Sequence, residues 1–143
     1  MKIRQALSGV LMVVAAMAPA ASPAAVNEIS PQCASIDGLL RQARTEFPAL
    51  KRKKFEAATC VYRKQEFRCD WAFPSDTFAA AETQASRLAR CVAVVSGAQP
   101  LAAKSGEARF QLNPETSVLI RGPMLDSGSW KLRLQVVTTA DWN

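Results

Sequence analysis

An α+β fold, a single antiparallel sheet of four to five strands with two helices packed on one face, is the architecture this sequence predicts. Three observations lead there. Two segments carry apolar residues at helical spacing, and several others alternate apolar and polar side chains with a period of two. The order of these segments is helix, one or two strands, helix, then three strands. One sheet covered by both helices buries all of these faces.

Residues 1–25 precede the first of them. Lys2 and Arg4 make a short positive start, an apolar run follows, and Ala18-Pro19-Ala20 and Pro23-Ala24-Ala25 offer small residues for cleavage. This is the layout of a secretory signal peptide. The apolar run is about 13 residues, short of the roughly 20 that span a bilayer. Residues 26–143 are expected to form one α+β domain stapled by two disulfides, with no transmembrane segment. They hold 16 Lys+Arg and 12 Asp+Glu, a net charge of +4.

The first helix is expected from Ile36 to about Phe47, with Ser35 as its cap. Ile36, Leu39, Leu40, Ala43 and Phe47 fall on one face. Pro48 interrupts it, and Ala49–Phe55 resumes as a helical turn. In residues 58–73, Phe67, Cys69, Trp71 and Phe73 alternate with Glu66, Arg68, Asp70 and Ala72, the pattern of a half-buried strand. A turn between Arg63 and Glu66 would divide it in two. Asp76 or Thr77 begins the second helix and Gly97 ends it. Phe78, Ala81, Ala85, Leu88, Cys91, Val92 and Val95 form its apolar stripe. Residues 98–106 connect. Ala108, Phe110 and Leu112 alternate, Asn113–Thr116 turns the chain, and Val118 with Ile120 returns. Gly122–Ser129 is expected to be a loop. Trp130, Leu132, Leu134, Val136 and Thr138 then mark the last strand.

Cys33, Cys60, Cys69 and Cys91 are an even number in an exported small domain, which predicts two disulfides rather than a metal site. A strand from Phe73 back to Cys69 covers about 13 Å, and a helix from Thr77 to Cys91 about 21 Å. A connecting loop absorbs that difference, so Cys69–Cys91 is the expected bridge, leaving Cys33–Cys60. The rival is Cys60–Cys69 across a hairpin. Its turn would fall at Lys64-Gln65, which lacks the Asn-Gly chemistry of two-residue turns.

The chain contains no His. That excludes Ser-His and Cys-His nucleophiles and every site that needs imidazole. No P-loop, GxGxxG or GxSxG motif is present. Asp70 and Asp76 are the carboxylates nearest to an acid/base pair, but Asp70 is expected to face water and Asp76 to cap a helix. No catalytic residue, metal or cofactor is therefore assigned.

Charge placement is the most informative feature. Residues 41–68 hold nine Lys/Arg and three Glu, a net +6, whereas the rest of the mature chain is net −2. Lys51, Arg52, Lys53 and Lys54 run together into Phe55, with Arg63 and Lys64 beyond. These seven residues are the candidate partner-binding set. A basic-aromatic strip attracts anions, here an acidic protein or an anionic envelope component. Nucleic acid is disfavoured because no binding motif accompanies the charge. Trp71 and Trp130 are expected in the core, while Trp142 is a candidate exposed anchor.

The expectation is an exported, periplasmic, non-enzymatic binding protein of the inhibitor, immunity or secretion-accessory type. The alternatives are a small secreted hydrolase working through carboxylates and a structural component of an envelope or secretion assembly.

Overall fold

The computed structural model describes residues 30–101 and 104–142. The segment read as a signal peptide lies outside the described residues. Ser30 caps a 3₁₀ turn at Pro31–Cys33, its hydroxyl accepting the Gln32 N–H at 3.3 Å. Helix α1 (Ala34–Thr45) follows directly and buries Ile36, Leu39, Leu40 and Ala43, the face expected from their spacing. Ser35 is not its cap. The preceding turn already leads the chain into the helix, and the Ser35 hydroxyl donates to Glu56 instead. A second 3₁₀ segment, Phe47–Arg52, holds Pro48 where its missing N–H costs nothing and buries Phe47 and Leu50.

Strands β1 (Thr59–Arg63) and β2 (Glu66–Pro74) form a hairpin that turns at Lys64-Gln65. Helix α2 (Phe78–Ser96) ends at Gly97, whose φ of +67° is the left-handed conformation that glycine adopts without penalty. Strands β3 (Glu107–Gln111), β4 (Thr116–Asp126) and β5 (Ser129–Thr138) complete an antiparallel sheet in the order β1-β2-β5-β4-β3. The last strand is thus central, between β2 and β4. Helix α2 carries the chain from one half of the sheet to the far edge, so the β3-β4-β5 meander can fold back against β2.

Register fixes which side chains share a face. Phe67 faces Val136, Cys69 faces Leu134, Trp71 faces Leu132, and Ile120 faces Leu134. All are buried, as are Phe110 and Val118, and Leu88, Cys91 and Val92 of α2 join them in one core. Burying each large apolar side chain contributes about 1.5–3 kcal/mol. Both helices lie beside this one sheet, as the alternation predicted.

Three local expectations fail for identifiable reasons. Gly122–Ser129 is not all loop: β4 runs on to Asp126 through a bulge between Arg121 and Met124. Gly122 allows it, since a Cβ there would stand 2.4 Å from the Lys131 carbonyl oxygen. Asp76 does not cap α2. Thr77 occupies the cap position, and its hydroxyl donates back to the Pro74 carbonyl at 2.7 Å. Phe78 belongs to the apolar stripe by spacing, yet it is 41% exposed, its ring tilted against Trp130 with centroids 4.6 Å apart near the sheet's end.

The disulfides also correct the sequence reading. They are Cys33–Cys91 and Cys60–Cys69, not Cys69–Cys91 and Cys33–Cys60. Cys60 lies directly opposite Cys69 in the β1–β2 register, with Cα atoms 4.1 Å apart. The Lys64-Gln65 turn does not rely on its own residue chemistry. The Gln65 carbonyl accepts the Thr138 N–H at 3.0 Å, so the end of β5 braces it. Cys91 is left to the start of α1, and its bridge ties the two helices together. Two disulfides suit an oxidising location.

Candidate partner-binding surface

Lys51, Arg52, Lys53 and Lys54 sit between two fixed points. Leu50 on one side and Phe55 on the other are almost completely buried. Lys51, Arg52 and Lys54 are exposed and Lys53 is half-buried. The four charges are therefore displayed on a short span clamped at both ends rather than on a free loop. Phe55 is the correction here. Sequence placed it among the contact residues, but its ring packs edge-on against Trp71, with centroids 5.9 Å apart, and it anchors the strip from beneath.

A second anchor follows immediately. Glu56 has a φ of +51°, a left-handed turn that swings its carboxylate back towards both helices. There it accepts hydrogen bonds from Ser35 Oγ at 2.8 Å, from Gln84 Nε2 at 3.2 Å and from Arg87 Nη2. Arg87 in turn donates through Nη1 to the Gln32 carbonyl at 2.7 Å and through Nε to Gln84 at 3.1 Å. Burial by itself pushes the Glu56 carboxyl up. The bonds from Arg87, Ser35 and Gln84, with the Arg87 charge, outweigh it and hold the group below its ordinary value. This latch joins the strip, α1 and α2 beside the Cys33–Cys91 bridge. Glu56 and Arg87 carried no signal in sequence, because they are 31 residues apart and meet only in the folded chain.

Arg63 and Lys64 stand at the β1–β2 turn. Phe47 packs on Tyr62 with ring centroids 6.0 Å apart, so the 3₁₀ segment that leads into the strip starts beside this end of β1. Phe55 reaches Trp71, next to the other end. The basic set thus flanks β1, spread over about 13 Å of strand, and does not gather at one point. Among the described residues, Lys51, Arg52, Lys53, Lys54 and Arg63 form no ion pair. Lys64 makes one exposed contact, to Asp141 at 3.5 Å, which is of little energetic weight.

A shallow groove of about 650 Å³ adjoins the Glu56 latch, lined by Ala57, Trp71, Phe73 and the first turns of α2. Trp71 is in the core, as expected. Trp130 is only half-buried, its Nε1 donating to the Ser75 carbonyl at 3.0 Å. Trp142 is not an exposed anchor: it is half-buried against the core. Asp70 does not stand free in water, because one oxygen meets Arg133 at 2.8 Å and the other Arg68 at 3.3 Å.

Among the described residues, no helix is long and apolar enough to cross a membrane. Comparison with known protein families, curated proteins and solved structures finds no match to this chain.

Proposed function

We propose that this chain is an exported, periplasmic binding protein without enzymatic activity, whose basic strip docks an acidic protein or an anionic envelope component. The observation that carries this reading is the set of four cations, Lys51–Lys54, held on a span clamped by Leu50, Phe55 and Glu56 and forming no ion pair among the described residues. Fixing like charges beside one another is unfavourable without a counter-charge, and the described residues supply none there. Fixed charges of one sign accelerate encounter with a surface of the opposite sign and bias its orientation. The disulfides support an oxidising compartment, and residues 1–25 support export into one. The hydrolase alternative has less in its favour, since Asp70 spends both oxygens on arginines.

The test is affinity capture from periplasmic extract with the natural protein and with a variant in which Lys51, Arg52, Lys53 and Lys54 are all Gln. A partner retained by the first at low salt, released as salt rises and missed by the second is the expected result. A partner held equally by both would remove the strip from the function. Intact mass of the periplasmic protein tests export: a chain beginning between Ala21 and Val26 is expected, and one retaining Lys2 overturns it.

A further inference from the structure

The face of the sheet turned away from the helices carries a charge pattern of its own. In one row across four strands, register sets Asp70 beside Arg133, Arg133 beside Arg121, and Arg121 beside Glu107. The order of charge is minus, plus, plus, minus. Each outer carboxylate engages its arginine through Nε, at 2.8 Å for Arg133 and 2.9 Å for Arg121. The Nη1 and Nη2 groups of both arginines have no hydrogen-bond acceptor among the described residues. Like charges directly opposite on adjacent strands stand about 5 Å apart at Cβ and repel. The carboxylates therefore balance the charge of the two arginines and orient them, while leaving their Nη donors free of acceptors among the described residues.

The next row adds to that space. Lys131 lies on the same face as Arg133, opposite Met124, and forms no ion pair among the described residues. The extra residue of the β4 bulge returns Met124 to the face that Arg121 occupies. Met124 is 50% exposed and Leu125 is 59% exposed. Together these groups line a pocket of about 510 Å³. Of its two carboxylates, Asp70 is held by Arg68 and Arg133, while Asp126 accepts only the Ser127 hydroxyl, at 3.2 Å, and keeps its charge at the hairpin end.

We propose that this pocket is a ligand site, separate from the basic strip, for a phosphate group carried on an apolar body. Two guanidinium forks and one ammonium offer more donors than a planar carboxylate can accept, whereas a tetrahedral oxyanion presents oxygens to all three. Met124 and Leu125 are placed to cover the apolar part. The site lies towards the β4–β5 hairpin, at the opposite end of β2 from Arg63 and Lys64. It does not depend on what the strip binds.

The test titrates the purified protein with dihexanoyl phosphatidic acid below its micelle concentration and, separately, with inorganic phosphate, by calorimetry and amide chemical shifts. Both should bind, with shifts centred on residues 121, 131 and 133, and the lipid should bind roughly tenfold more tightly because its chains bury apolar surface. Lys131→Gln should weaken both ligands roughly tenfold, as expected for loss of one charged contact. That lysine forms no ion pair among the described residues, so this variant leaves the ion pairs of the sheet intact. Arg121→Gln with Arg133→Gln should abolish binding, and Met124→Ala should weaken the lipid alone. The four-Gln variant of the strip should bind both as the natural protein does. No binding of either ligand, binding indifferent to Lys131→Gln and the double Arg variant, or binding lost with the strip would overturn the site. Equal affinity for lipid and inorganic phosphate would overturn its apolar half.

Discussion

Lys51–Lys54 and the Arg121–Arg133 pair both concentrate positive charge, yet they are held in different ways. The strip is contiguous in sequence and is clamped along the chain, by Leu50 before it and by Phe55 and Glu56 after it. Its own charges make no ion pairs among the described residues. The arginine pair comes from two strands and is held sideways, each guanidinium drawn towards a carboxylate on the next strand. Long lysine side chains on a fixed span act over distance and through solvent, so their effect falls with salt. Oriented guanidiniums act at contact, where geometry selects the ligand. The placement of positive charge is thus set by the chain itself in one region and by the register of the sheet in the other.

The largest effect expected concerns what supports the strip. Replacing Cys33 and Cys91 by Ala should destabilise the fold by about 4 kcal/mol in chemical denaturation, because that bridge closes a long loop. Removing Cys60 and Cys69 should cost less, about 3 kcal/mol, since its loop is short. The reverse order would mean that the sheet, and not the helix pair, is the part most dependent on its staple. Next is Phe55→Ala, expected to cost about 3 kcal/mol for a fully buried ring. Hydrogen exchange should then quicken across residues 51–56 and stay unchanged at Arg121 and Arg133. Equal loosening of both regions would show that the strip has no anchor of its own.

A smaller effect attaches to the latch. Glu56→Gln should destabilise by about 1–2 kcal/mol at neutral pH, as one charged hydrogen-bond acceptor is lost. Because the folded carboxyl lies below its ordinary value of 4.5, its contribution is complete above that pH. It fades as pH falls through the lower folded value, so the gap between natural protein and variant should close in acid. A gap that persists well below 4.5 would assign the loss to packing rather than charge. The smallest effect on stability belongs to the strip itself. Replacing all four cations by Gln should shift the melting free energy by less than about 0.5 kcal/mol. Association with the captured partner should nevertheless slow roughly tenfold at low salt, with the difference shrinking as salt rises. Unchanged kinetics would return Lys51–Lys54 to the role of a solvated surface.

What could be read without the fold was local. The apolar face of α1, the long α2 ending at Gly97, the period-two alternation of β2 and β5 and the count of four cysteines all depend on residues near one another in the chain. The lysine run was visible for the same reason. These features state how each segment must turn its side chains, and one sheet under two helices follows from that.

What only the tertiary structure decided involves partners distant in sequence. The disulfide pairing turned on whether Lys64-Gln65 could make a turn, and the brace from Thr138 to Gln65 crosses most of the domain. Phe55 became an anchor because Trp71 stands behind it, and Glu56 became a latch because Arg87 reaches it from α2. The arginine pair exists only once β5 settles between β2 and β4 in one register, since a one-residue slip would turn Arg133 into the core. Periodicity along a chain specifies a face. Which faces meet, and which charges end up side by side, is set by the joint burial of the helices and the sheet.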